Sequence, residues 1–266
     1  MKKILFFACL LILATGCDTK QKEAAKAQAR VDNAKQLVEE GNLNAAKIEL
    51  DSVHLLYPRQ VEVRRNAKAL MDSIVYIEAK RNLSYSDSLL QPLLPEVDKM
   101  LKQFNNEKNG EYENYGRYVH KQLPTSRNID RCFIQAYVNE DVRTTLKSYY
   151  YGKKAINHES VTFAVGEDYL TFTGTSHAFE DGGGKYEILT LAEDDAIAAL
   201  SFIGNHENDK IKVTLKGSGE YAYFLNKNEK KALAETCQLA LTMRDVRQLE
   251  QQINVANGQI AKYESK

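Results

Sequence analysis

The residues best suited to chemistry in this chain are histidines lying close to carboxylates: His158-Glu159, His177 with Glu180, and His206-Glu207-Asn208-Asp209. A histidine beside a carboxylate can move a proton, and a loop of His, Glu and Asp can hold a cation. A hydrolase built on carboxylates needs no local motif, only convergence, so it would require several of Glu159, Asp168, His177 and Asp181 in one cleft. A nucleophile is harder to find. No Ser or Cys stands in a strand-to-helix elbow, and Cys132 reads as a core residue. His54 sits in a helix beside Leu55, His120 has no carboxylate nearby, and the five histidines show no ligand spacing. Asp181-Gly182-Gly183-Gly184-Lys185 invites a phosphate-loop reading. That loop needs Gly where Phe179 stands and Ser or Thr where Tyr186 stands, so the segment reads as a hairpin turn. No catalytic residue, metal or cofactor is assigned.

Fifteen tyrosines against no tryptophan are the compositional oddity. Tyr112, Tyr115, Tyr118, Tyr149, Tyr150, Tyr151, Tyr221 and Tyr223 fall in strand-like sequence. Alternation turns Tyr149 and Tyr151 away from Tyr150, so at least one of these rings faces outward. Exposed aromatics stack on sugars or anchor a protein partner, whereas tyrosine is also simply a good strand former. Tyr149, Tyr150 and Tyr151 are the candidate ligand-stacking residues.

The elements that position these groups divide into a helical front, a strand-rich middle and a helical tail. Gln21 to Glu40 is rich in Ala, Lys, Gln and Glu, and Asn44 to Leu56 forms a second helical run. Ala34, Leu37, Gly41-Asn42-Leu43, Ala46, Leu50, Val53 and Pro58 resemble one tetratricopeptide repeat over residues 27–60, with Arg30 where that family has a large aromatic. The resemblance implies a helical hairpin; a single repeat is no peptide-binding solenoid. A third helix is expected from Gln60 to Leu90 on the 4-3-4-3 spacing of Val63, Ala67, Leu70, Ile74 and Ile77. Pro92 and Pro95 interrupt it. Pro95 then opens a further helix whose stripe is Leu94, Val97, Leu101 and Phe104, ending at Asn109-Gly110.

From Glu111 the apolar period becomes two, in Cys132 to Val138, Val161 to Val165 and Ile211 to Leu215. Turns are signalled at Gly166-Glu167-Asp168, Asp181 to Gly184 and Gly217-Ser218-Gly219. Short connections demand antiparallel neighbours, which predicts a meander of seven or eight strands interrupted by a helix over Glu193 to Ile203. A long final helix follows Asn228. Its early face (Leu233, Cys237, Ala240, Leu241) is expected on the sheet, and its later seam (Leu239, Val246, Leu249, Ile253, Ala256, Ile260) against the front helices. The fold class is α+β. Its expected parts are 23–108 helical, 111–226 antiparallel β-rich and 228–266 a helix packing back on the sheet and the N-terminal helices.

The start of the chain carries an address. Lys2 and Lys3 precede Ile4 to Ala14, eleven uncharged residues that are too short to span a bilayer core of roughly 30 Å but suit the h-region of an export signal. Ala14-Thr15-Gly16-Cys17 resembles the lipobox of bacterial lipoproteins, with Ala14 where that family prefers Leu. The resemblance implies removal of residues 1–16, lipidation of Cys17 and a tether over 17–22. Membrane lipid is then one partner. The absence of a Gly/Ser-rich linker sets the folded part close to the membrane. The Lys/Asn/Tyr-rich style further resembles lipoproteins of Bacteroidetes-type bacteria. Asp18 is the inner-membrane retention signal of the enterobacterial rule. The expected location is nonetheless the periplasmic face or the cell surface, with the outer membrane favoured.

Removing residues 1–16 leaves 34 basic and 36 acidic residues, a net charge of −2. So balanced a chain gives no footprint for nucleic acid, and no run of basic residues marks anionic lipid. Cys132 and Cys237 are left to form either a disulfide or two buried free thiols. The leading expectation is a non-catalytic interaction or scaffold module with a protein partner in the envelope. A glycan- or peptide-binding module using the tyrosine-rich sheet is the alternative.

Overall fold

The computed structural model describes residues 2–108, 110, 114–124 and 130–265, with side chains from Lys20 onward. The Cys17 side chain and Tyr112 therefore lie outside the described residues. Three helices lead: α1 (Lys2–Glu39), α2 (Leu43–Leu56) and α3 (Val61–Leu101). Gly41, at φ +78°, ends α1 in the left-handed conformation that glycine adopts without strain. The Gly41 and Asn42 N–H groups bond back to the Val38 and Leu37 carbonyls. Asn42 then caps α2 by accepting from the Ala45 N–H at 3.4 Å. Ala34 and Ala46 are fully buried and let the two helices approach, with Val31, Leu50 and Val53 beside them. Arg30, in the place of an aromatic, instead bridges to Glu49 of α2 at 2.7 Å.

The prolines do not break the third helix. α3 runs through Pro92 and Pro95 to Leu101, and Phe104 opens a strand rather than closing a helical stripe. A proline inside a helix removes a hydrogen bond and costs about 3 kcal/mol. Leu90, just before the prolines, is buried, while Leu94 and Val97 line an open groove with Met243 and Val246.

Ten strands follow among the described residues: β1 (Phe104–Glu107), β2 (Arg117–His120), β3 (Phe133–Asn139), β4 (Thr144–Gly152), β5 (Ser160–Val165), β6 (Asp168–Thr173), β7 (Thr175–Asp181), β8 (Gly184–Ala192), β9 (Lys212–Lys216) and β10 (Glu220–Phe224). Helix α4 (Glu193–Asn205) interrupts them where the sequence predicts, and α5 (Lys227–Glu264) closes the chain. The strands form the expected antiparallel meander, divided between two sheets with orders β1-β2-β3-β4-β8-β7 and β10-β9-β5-β6. The chain changes sheet at Gly174. A Cβ there would come within 2.3 Å of the Thr190 carbonyl oxygen, so the crossing needs glycine. The β7–β8 turn has Gly182 and Gly183 both at positive φ, the two-residue geometry that matches strand twist.

Two compact units result, residues 1–87 with 251–266, and residues 88–250. In the first, α1, α2 and α3 share the core of Val31, Leu50, Ala67 and Ile74. The end of α5 joins them through Tyr263, stacked on Tyr76 at 4.4 Å, and through Gln252, which accepts from Ser86 at 3.0 Å. In the second, Ile134, Leu146, Leu189 and Leu191 of one sheet meet Val161, Phe163, Val213 and Leu215 of the other. Ala199, Leu200 and Ile203 of α4 and Leu233 and Cys237 of α5 complete that core.

Candidate functional site

The residues singled out for chemistry are dispersed. Asp168, on β6, pairs with His206, whose Nε2 lies 4.0 Å away while its Nδ1 meets Asp209 at 2.9 Å. His177 and Asp181 are four residues apart on β7, a separation of about 13 Å along a strand. Among the described residues no group of three or more His, Cys, Asp or Glu could hold a metal ion. The two cysteines are separate free thiols, not a bridge. The Cys132 sulfur contacts the Tyr151 backbone, and burial pushes its thiol pKa up. The Cys237 sulfur lies 3.5 Å from the Ser201 hydroxyl.

A Ser–His–Glu set does assemble inside the second unit, although its geometry is structural. His158 is wholly buried, with Nε2 3.5 Å from the Ser148 hydroxyl. Glu187 does not orient the imidazole. Its carboxylate accepts backbone N–H groups of Ile156 (2.8 Å), Asn157 (3.2 Å) and His158 (2.5 Å), anchoring the chain between β4 and β5. Burial first, opposed by Glu187, drives the His158 pKa down to about 4, so the ring is a neutral core group.

His120 is the second buried histidine, beside a cleft of about 330 Å³ lined by Glu96, Lys99, Met100, Phe104 and Glu235. Its Nδ1 accepts from the Gln122 N–H at 3.2 Å, which fixes the tautomer with Nε2–H donating to Glu235 at 2.7 Å. Burial lowers its pKa while Glu235 opposes the shift. Both ring nitrogens are engaged, so His120 offers no base to the cleft and serves to hold Glu235.

One exposed feature with recognition chemistry is an aromatic ladder on the outer face of the six-stranded sheet. The strand register sets Tyr151 opposite Tyr186, and Tyr186 opposite Phe179. Phe179 and Tyr186 stack 4.9 Å apart at 3°, and Tyr151 lies 4.9 Å beyond at 44°. Gly184 makes room for this, since a Cβ there would strike the Tyr151 ring. The Tyr186 hydroxyl donates to Asp130 at 2.9 Å. Desolvation and then Asp130 push its pKa up to about 12, so the hydroxyl stays protonated as a donor. A shallow cleft of about 150 Å³ opens beside the pair, lined by Ala155, Phe179, Glu180, Lys185 and Tyr186. β7 ends the strand order of its sheet, so one of its backbone edges has no strand neighbour there.

Of the three tyrosines chosen from sequence, only Tyr151 belongs to the ladder. Tyr150 is buried, its hydroxyl bonded to the Lys154 carbonyl at 2.7 Å. Tyr149 shares the outer face but stacks on Phe133 at 4.3 Å and donates to Gln135, and burial pushes its pKa up to about 12. Phe179 and Tyr186 were missed as partners. The turn itself held the signal: closing Asp181 on Gly184 sets Glu180 against Lys185 and Phe179 against Tyr186. Comparison of the chain with protein-family models, curated proteins and solved structures gives no match.

Proposed function

We propose that this chain is a membrane-anchored lipoprotein of the cell envelope that acts as a non-catalytic interaction module, with its aromatic ladder as the contact surface. Cys17 carries the acyl chains and confines the folded part to the membrane surface. The ladder is the observation that carries the docking reading. Phe179 is 44 % exposed, on a β7 strand whose residues are all exposed, while His158 is buried and both ring nitrogens of His120 are bonded. Rigid aromatic rings anchor interfaces because they offer large contact area at small entropic cost.

A photo-crosslinking residue at position 179 of the full chain in living cells tests this. One discrete protein adduct that disappears in a Tyr186→Ala background is expected. No adduct, or a smear insensitive to Tyr186, overturns the reading. The parallel rings beside the small cleft, together with the open edge of β7, favour a second reading in which an oligosaccharide or an extended peptide binds the ladder. Saturable NMR shifts at Phe179 and Tyr186 with such a small ligand, and no protein adduct, would select it.

A further inference from the structure

From the first unit we infer that the end of the helical hairpin at the α2–α3 turn is a second membrane contact, seated on the bilayer that the acyl chains of Cys17 enter. The inference rests on the lipoprotein reading and adds a surface to it. Leu55, Leu56 and Val61 are 79 %, 60 % and 61 % exposed, a concentration of apolar surface around one short turn. The Gln60 side chain donates to the Lys20 carbonyl at 3.4 Å, which ties that turn to the start of the folded chain. Lys20 is three residues from Cys17. Three residues span at most about 11 Å when fully extended, so this patch stays close to the acylation site whatever path residues 17–19 take.

The charge around the patch suits the same occupant. Stretches 20–24 and 55–65 hold five basic residues against two acidic ones, although the mature chain as a whole is slightly acidic. Lys20, Arg59 and Arg65 are exposed there. Because the two stretches are far apart in sequence, the basic cluster exists only once the hairpin folds. Apolar side chains rimmed by basic ones are the composition that settles at a headgroup–acyl boundary. An anionic bilayer surface meets both halves of the patch at once.

The chain lacks tryptophan, so a single Trp reports its own surroundings. The acylated protein carrying Leu55→Trp is reconstituted in phosphatidylcholine vesicles with and without phosphatidylglycerol. Glu40→Trp serves as control, because it lies just past the end of α1, twenty residues and about 30 Å beyond Lys20. Trp at 55 is expected to emit at shorter wavelength and to be quenched by spin-labelled lipid, more so with the anionic lipid, whereas Trp at 40 does neither. A chain that floats with the vesicles and takes up a fatty-acid label while Trp at 55 stays water-like overturns the contact and leaves the lipoprotein reading standing. A blue shift without lipid quenching means that protein covers the patch, and equal quenching at 40 means that the hairpin lies flat; either result also overturns it. A chain that neither floats nor labels removes both readings.

Discussion

At the scale of single residues, the buried polar groups of the second unit govern how the fold responds to acid. His158 has its pKa depressed from 6.5 to about 4. Above pH 6.5 the ring is neutral in both states and favours neither. Below it the unfolded chain binds a proton that the folded chain refuses until about pH 4, so stability is lost across that window. The loss amounts to on the order of 3 kcal/mol, and His120 shifts in the same direction. Urea midpoints should therefore fall between pH 6.5 and 4, and a His158→Gln variant should fall less. An identical pH slope in the two proteins would refute this role for His158. Glu187 makes a companion case, because its carboxylate accepts three backbone N–H groups out of water. Glu187→Leu strands those donors and should destabilise by about 2–4 kcal/mol by urea denaturation. Neither role was legible in sequence. His158-Glu159 looked like a proton-moving pair, but the carboxylate that reaches this segment is Glu187, nearly thirty residues away.

At the scale of elements, local chemistry marked the turns and the helix caps well. Gly41-Asn42, Asp181 to Gly184 and helix α4 lie where turn residues and apolar spacing set them. Two elements escaped local reading. α3 continues through two prolines, and the β6–β7 crossing turns on Gly174, a lone glycine between threonines with no turn signature. Substituting that glycine shows what it does. The Thr190 backbone cannot move aside without disturbing β8, so Gly174→Ala should cost about 1–3 kcal/mol. Gly110, where among the described residues no atom would meet an added Cβ, should tolerate alanine. The ladder behaves in the opposite way. Phe179 and Tyr151 lie on the outer face, so Phe179→Ala should leave the thermal midpoint nearly unchanged while abolishing the adduct formed when the photo-crosslinking residue stands at position 151 instead of 179. A large drop in midpoint would assign Phe179 to packing instead.

At the scale of the whole molecule, the proposed lipid anchor and the ladder answer to different kinds of sequence information. A lipobox is read by its peptidase as a linear segment, so Ala14 to Cys17 carries that expectation without any fold. The ladder needs strands β4, β8 and β7 in register, and Tyr151, Tyr186 and Phe179 have meaning only as cross-strand neighbours. Their cooperation can be separated by experiment. Each buried methylene of an acyl chain contributes about 0.8 kcal/mol, so two or three chains hold a protein at a surface where one would not. Confinement beside a membrane-bound partner then raises effective concentration without adding a contact, an effect on the order of a hundredfold or more. Cys17→Ser with residues 1–16 still present should leave the far-UV circular dichroism unchanged and remove the fatty-acid label. The crosslink from position 179 should fall by a comparable factor at equal expression. Raising the concentration of the unlipidated chain should restore the adduct, because the ladder itself is intact. If the adduct forms equally well without acylation, the partner is soluble and the anchor serves another purpose; if it cannot be restored at any concentration, the acyl chains or the membrane are themselves part of the contact.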